Sequence, residues 1–261
     1  MAGADNVLRH VPEWRSPARR IVTVVLAVVT FALATAAMVA VDSLWPERAM
    51  LGQIGIMFIG FGWAGQFFWR RKEYRARWGE HSYRNAFVCH IAPGLPLIFA
   101  AIAHTAYLPG ERVVTGWATP IVSMLGLYFI LTGLVVWARG GQAIGADYGL
   151  MLYVYFPEES RIVNSAIYSI VRHPMYSGAV RVGLALGLWR GTWLSILFGL
   201  FMPIGLTIWL KFVEEPELIE RFGDGYRDYR RNVPAFWPRL KDAGRFWKFL
   251  ITGGSYEEAL P

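Results

Sequence analysis

Cysteine is almost missing: Cys89 is the single one in 261 residues. An intrachain disulfide is therefore excluded, and the place of Cys89 inside an apolar run makes it read as a buried structural thiol. The sequence has no internal repeat, which sets aside a solenoid, and no low-complexity segment. Histidine is scarce, at five. His90 and His104 lie 14 residues apart, on one helix face and about 21 Å apart along the axis, a spacing that suits stacked haems. The other histidines, His10, His81 and His173, lie outside the apolar runs. A second ligand pair is lacking, so haem ligation is set aside and no metal site is expected. Charge is missing over long stretches, and Ile21 to Val41 contains none.

The apolar residues, 55% of the chain, gather into these uncharged stretches. The runs are Ile21–Val41, Leu51–Trp69, Phe87–Leu108, Trp117–Ala138, Tyr176–Trp189 and Thr192–Phe212. A run of about 20 residues spans a hydrocarbon core. In lipid each backbone group must be satisfied within its own segment, so these runs are helices. The expected fold is all-α: a polytopic membrane protein with about six transmembrane helices and a cytoplasmic C-terminal amphipathic helix. The fifth run is short and contains Arg181, so it is expected to begin deeper, near Pro174, or to be shielded by neighbours. The first run is too long for a signal-peptide core and reads as a retained anchor.

Lysine and arginine are unevenly placed. The N-terminal arm holds four, the second loop six, the fourth loop three and the tail nine, 22 of the 26 in the chain. By the positive-inside rule both termini and the 139–175 loop face the cytoplasm, in a bacterial inner membrane or the endoplasmic reticulum. The net charge of +7 then belongs to basic rims against anionic headgroups, and no nucleic-acid partner is implied.

Two glycine patterns read as packing. Gly60, Gly62 and Gly65 match a dinucleotide fingerprint, but they lie inside a membrane run with no preceding strand. Gly183, Gly187 and Gly191 recur every four residues, a small-residue face. That face packs the fifth helix on the sixth, or forms the seam of a homo-oligomer.

Polar residues that anchoring does not need fall in two segments. Ser165–Gly178 contains Tyr168, Arg172, His173 and Tyr176. Glu214–Arg230 contains Glu214, Glu215, Tyr226, Tyr229 and Arg230. The hairpin of the last two helices joins them and brings its open ends together. Arg172, His173 and Tyr176 should therefore face Glu214 and Glu215. Pro216 suits the first turn of a new helix, expected to run to about Asn232. Its stripe Phe222, Tyr226, Tyr229, Val233 either lies on lipid or roofs the site. Paired carboxylates can accept from ribose hydroxyls, Arg172 can hold a carboxylate, and aromatic faces attract a cation. Together these suit S-adenosylmethionine, which has a ribose, a carboxylate and a sulfonium, and they would also suit other nucleotides.

The motif RHPMYSG at Arg172–Gly178, followed by EExxLxxxFGxxYxxYxxxVPxxxP from Glu214, resembles the isoprenylcysteine carboxyl methyltransferase family. That broad group includes phospholipid N-methyltransferases. The resemblance covers about residues 139–238. It implies S-adenosylmethionine at the cytoplasmic end of the last hairpin. Tyr168, Arg172, His173 and Tyr176 would line the pocket, one of Glu214 and Glu215 would meet the ribose, and Tyr226, Tyr229 and Arg230 would form the lid. Arg172, His173 and Arg230 are the expected catalytic residues. Two positions depart from the family: Ala166 stands where Gly is frequent, and Pro216 where Arg is frequent. Residues 1–138 read as a four-helix membrane region and 139–261 as the catalytic region, with the 146–160 insert placed to select the acceptor.

The implied activity is methyl transfer to a lipid-like or hydrophobic acceptor, with a prenylcysteine carboxylate, a phospholipid amine or a small thiol as alternatives. An anionic acceptor needs an anchoring cation, and Arg172, Arg181 or Arg230 could serve. Readings of another class are a sterol-type reductase using NADPH and a non-catalytic scaffold. The reductase motif differs at Met175 and Ala179.

Overall fold

The computed structural model describes residues 2–252, all helices and loops with no strand among them. A short amphipathic helix, α1 (Ala2–His10), precedes α2 (Pro17–Leu44). Helix α3 (Ala49–Trp69) descends to α4 (Arg71–Trp78) and α5 (Ser82–Ala86). A π-helical turn over Phe87–Ile91 leads into α6 (Ala92–His104). Next come α7 (Ala118–Gly149), the hairpin α8 (Pro174–Arg190) and α9 (Trp193–Trp209), and a second π-helical turn at Leu210–Glu214. The chain closes with α10 (Glu215–Phe222), α11 (Asp224–Asn232) and α12 (Ala243–Thr252).

Among the described residues, five stretches are long and apolar enough to cross a membrane: Pro17–Leu44, Pro46–Trp69, Arg71–His104, Ala118–Gly149 and Trp193–Phe222. The sixth expected span is α8, which begins at Pro174, as its short run required, and has 17 residues. It compensates by burial between α7 and α9. Arg181 is 2% exposed, bonded to the Ser177 carbonyl at 3.0 Å and 4.2 Å from the Trp237 ring centre.

Glycine sets the closeness of these helices. A Cβ on Gly178 would lie 2.7 Å from the Gly133 carbonyl oxygen of α7. Gly183 lies against Met202 and Gly187 against the Ser195 backbone, both on α9. Gly191 ends α8 with φ of 68°. Of the two readings of this face, intramolecular packing is therefore the one found. Nothing supports a homo-oligomer seam there, since Gly183 and Gly187 already face α9. Gly60 likewise packs on Gly94 and Ile98 of α6.

Three polar expectations change or sharpen. Cys89 is exposed, not buried, because the π-helical turn rotates it outward. His104, fully buried, meets Asp42 at 2.8 Å, and His90 meets the Tyr74 hydroxyl at 2.8 Å. Each histidine thus has its own partner on a neighbouring helix.

Candidate functional site

The site forms where α8 begins and α9 ends. Pro174 starts α8, and His173 directly before it takes the N-cap position. The amide N–H groups of Arg172 and His173 donate to the carbonyls of Pro234 and Ala235, at 2.9 and 3.1 Å. The chain after α11 is thereby tied to the start of α8. On the other side, the π-helical turn at Leu210–Glu214 adds a residue to the ladder and aims Glu214 inward.

The two polar segments meet as their spacing required. Arg172 donates from Nε to Glu215 at 2.9 Å and from Nη1 to the Val233 carbonyl at 2.8 Å. The His173 ring lies 3.5 Å from a carboxylate oxygen of Glu214 and 3.5 Å from one of Glu215. Tyr176 donates to Glu214, and Trp209 Nε1 donates to the Tyr176 hydroxyl at 3.2 Å. The Tyr226 hydroxyl is 3.4 Å from His173 Nε2. Tyr229 donates to the Tyr168 carbonyl at 2.7 Å. Burial opposes a charged imidazolium, yet its bonds to the Glu214 and Glu215 carboxylates outweigh it and raise the His173 pKa. Burial pushes the Tyr168, Tyr226 and Tyr229 hydroxyls well above the usual phenol range.

Beside this cluster opens a cavity of about 770 Å³, within the size range of small-molecule sites. Tyr168, Arg172, His173, Tyr176, Glu214, Tyr226 and Tyr229 border it. Two expected site residues do not. Glu215 stands one position further round the helix, about 100° from Glu214, and faces Arg172 and Arg230 instead. Arg230, 3.2 Å from Glu215, is half exposed on the outer side of α11. Arg181 is also remote from the cavity, enclosed by Ser177, Trp237 and Phe246.

The expected single helix after Pro216 is two helices broken at Gly223, where φ is 57°. Of the stripe, Phe222, Tyr226 and Tyr229 border the cavity, and Tyr226 and Val233 are buried. Sequence reasoning missed Glu217 and Arg221, which also border the cavity. Their i, i+4 spacing on α10 was the available signal. The insert contributes Tyr148, Met151, Tyr153 and Val154 to the wall. It is anchored by buried Asp147, which accepts from Tyr153 at 2.7 Å, and by the Arg9–Glu159 pair at 2.7 Å.

Away from the polar end the cavity is apolar, walled by Met57, Phe61, Leu95, Ile98 and Met202. Helices α3 and α9 meet where Phe61 lies 5.1 Å from Trp209. Beyond that level the lining includes Phe58 and Phe201, both exposed on the outer surface. The cavity thus reaches the lipid-facing side between these two helices.

Comparison with known proteins places this geometry. Residues 121–225 match the family model described as phospholipid methyltransferase. A methanethiol S-methyltransferase 2 of Bradyrhizobium diazoefficiens is 39% identical over 77 residues, 28% of this chain and 27% of its own length. A methanethiol S-methyltransferase of Pseudomonas deceptionensis is 32% identical over 88 residues, 33% of this chain and 31% of its own length. The protein-S-isoprenylcysteine O-methyltransferase of Schizosaccharomyces pombe is 34% identical over 84 residues, 30% of this chain and 34% of its own length. The chain spans about a third or less of the length of each of these relatives. No solved structure matches it. The resemblance to this membrane methyltransferase group, read from the RHPMYSG and EE motifs, is borne out over the matched segment. That segment begins earlier than the motifs did, inside α7, and ends at Gly225.

Proposed function

We propose that this chain is an integral membrane methyltransferase that uses S-adenosylmethionine and acts on a hydrophobic acceptor entering from the lipid. One observation carries the reading: a single cavity joins a buried carboxylate–histidine–tyrosine cluster to an apolar chamber that opens between α3 and α9. The donor set fits the cofactor. Of the adjacent pair Glu214 and Glu215, Glu214 is the one on the wall and can accept from ribose hydroxyls. The rings of Tyr168, Tyr176, Tyr226 and Tyr229 offer faces to a sulfonium. When bound, S-adenosylmethionine would supply an electrophilic methyl group for in-line displacement.

The residues of the chain then hold, orient and exclude water. Arg172 is a positioning residue, because its bonds to Glu215 and the Val233 carbonyl fasten the roof. His173 orients Glu214 and, with its pKa raised, keeps its proton to higher pH than a free imidazole. An acceptor that arrives as an anion, a thiolate or a carboxylate, needs no proton removed and suits this site. Catalysis then rests on holding two reactants in line within a dry chamber. The S-methyltransferase relatives make a small hydrophobic thiol the second reading of the acceptor.

The cytoplasmic orientation of the site belongs to the same proposal. The basic residues of the arm, the second and fourth loops and the tail support it.

Calorimetry with S-adenosylmethionine on purified protein in detergent, wild type beside Glu214→Ala, tests the reading. Micromolar binding that the variant loses is expected. A folded wild type that does not bind, with lipid present, would overturn it.

A further inference from the structure

A second polar group borders the cavity, apart from the Arg172–His173–Glu214 cluster and at positions the second motif leaves unspecified. Glu217 and Arg221, one turn apart on α10, pair at 2.8 Å, with side chains only 4% and 8% exposed. The pair uses Arg221 Nη2. Arg221 Nε is buried and has no hydrogen-bond partner among the described residues. A buried guanidinium N–H left unmet is costly, and here it belongs to a residue on the cavity wall.

Arg161 borders the same end of the cavity from the insert side, and no carboxylate among the described residues pairs with it. Its backbone is fixed: the Arg161 amide donates to the Tyr148 hydroxyl at 2.7 Å, and Tyr148 donates to the Arg161 carbonyl at 2.9 Å. Tyr148, bonded to the Arg161 backbone, borders the cavity together with Arg161 and Arg221. Ile162 lies against Gly225, which brings the insert's end to the roof. The other charges nearby are already matched. Arg71 pairs with Glu220, and Glu214 is held by His173 and Tyr176. Glu217 balances one of the two arginines, and one positive charge is left over.

We propose that Arg221 and Arg161 form a head-group subsite for an amphiphile carrying a single negative charge, a carboxylate or a phosphate monoanion, whose apolar part lies along Met57, Phe61 and Ile98. Arg221 Nε and the Arg161 guanidinium donate to the anion, and Glu217 fixes Arg221 in its rotamer. A cationic amine head would meet the unmatched positive charge and be disfavoured. The proposal rests on the methyltransferase reading for its name of acceptor, while the subsite itself stands on geometry.

The test uses the full-length protein in detergent and two fluorescent probes that differ only in the head, parinaric acid and its methyl ester. Wild type is expected to bind the acid about tenfold more tightly than the ester, roughly 1.4 kcal/mol. Arg221→Gln should remove that preference, Arg221→Lys should retain part of it, and Arg161→Gln, an exposed position that does not threaten folding, should also reduce it. S-adenosylmethionine affinity, read by calorimetry on the same samples, should change less than twofold. Displacement of the acid by oleate or by lysophosphatidate tells which anion is preferred. Equal binding of acid and ester by wild type would overturn the subsite. So would variants that lose S-adenosylmethionine while keeping the preference, because the arginines would then hold the cofactor. Absence of cofactor binding with the acid preference intact would instead fail the methyltransferase reading alone.

Discussion

At the residue scale, Ala166 carries a left-handed backbone, with φ of 51°. This is the position where the family frequently has Gly, and the departure seen in the sequence is thus a point of backbone strain. A left-handed non-glycine residue costs about 1–2 kcal/mol. Ala166→Gly is expected to raise stability by about 1 kcal/mol, measured by thermal or denaturant unfolding, and to leave the Tyr168 carbonyl available to Tyr229. His173 gives a pH dependence with a defined sign. Its folded pKa lies above the free imidazole value of 6.5. Its contribution to stability is therefore complete below pH 6.5 and is lost as pH rises through the raised value. The unfolding temperature of wild type should fall more than that of His173→Asn on going upward from pH 6.5. Equal slopes would show that the Glu214 and Glu215 contacts do not hold the proton. Arg172→Ala removes the partner of Glu215, which is 3% exposed. Breaking a buried pair from one side costs about 3–5 kcal/mol, and the half-exposed Arg230 can offset only part of it. Loss of stability together with loss of cofactor binding is expected.

At the element scale, the hairpin depends on how closely α8 and α9 approach. A Cβ on Gly187 would collide with the Ser195 carbonyl, a backbone atom that no side-chain rotation can move aside. Gly187→Ala should destabilise by about 1–3 kcal/mol, the usual cost of overpacking. Gly62→Ala, where the added methyl meets nothing within 4 Å, should be neutral. Melting curves of the two variants in the same detergent check the contrast. The roof is two short helices and not one, because Gly223 turns the chain at positive φ. This break lets α10 face the cavity with Glu217 and Arg221 while α11 faces it with Tyr226 and Tyr229.

At the scale of the whole molecule, the distribution of basic residues predicts the topology. A Cys89→Ser background with single cysteines at positions 77 and 139 should label with a membrane-impermeant maleimide only after the cytoplasmic side is opened. A cysteine at position 112 should label in intact vesicles of the opposite side. Labelling of both classes from one side would reject the orientation. The cavity's opening between α3 and α9 also predicts that a bulky residue at Gly205, which borders the cavity without close neighbours, slows access of a hydrophobic acceptor and leaves cofactor affinity unchanged. Comparing KM for the acceptor with the calorimetric affinity for the cofactor separates the two.

The sequence by itself determined the membrane-spanning class, because a helix in lipid must be long and continuously apolar, and both features are linear. It also determined that Arg172, His173 and Tyr176 meet Glu214, because a tight hairpin returns its ends to one place whatever its packing. It could not decide which of two adjacent glutamates faces the cavity. That choice depends on a π-helical turn that shifts the register by one residue, a shift that no periodicity announces. Nor could it assign Glu217, Arg221 and Arg161 to one wall, or deny Glu215 and Arg230 a place on it. Those placements follow from the fold of the 146–160 insert, the bend at Gly223 and the contact of Ile162 with Gly225, which set residues distant in sequence side by side. Charge pairing across such distances exists only once the chain has packed, so tertiary structure alone decided the shape and charge of the chamber.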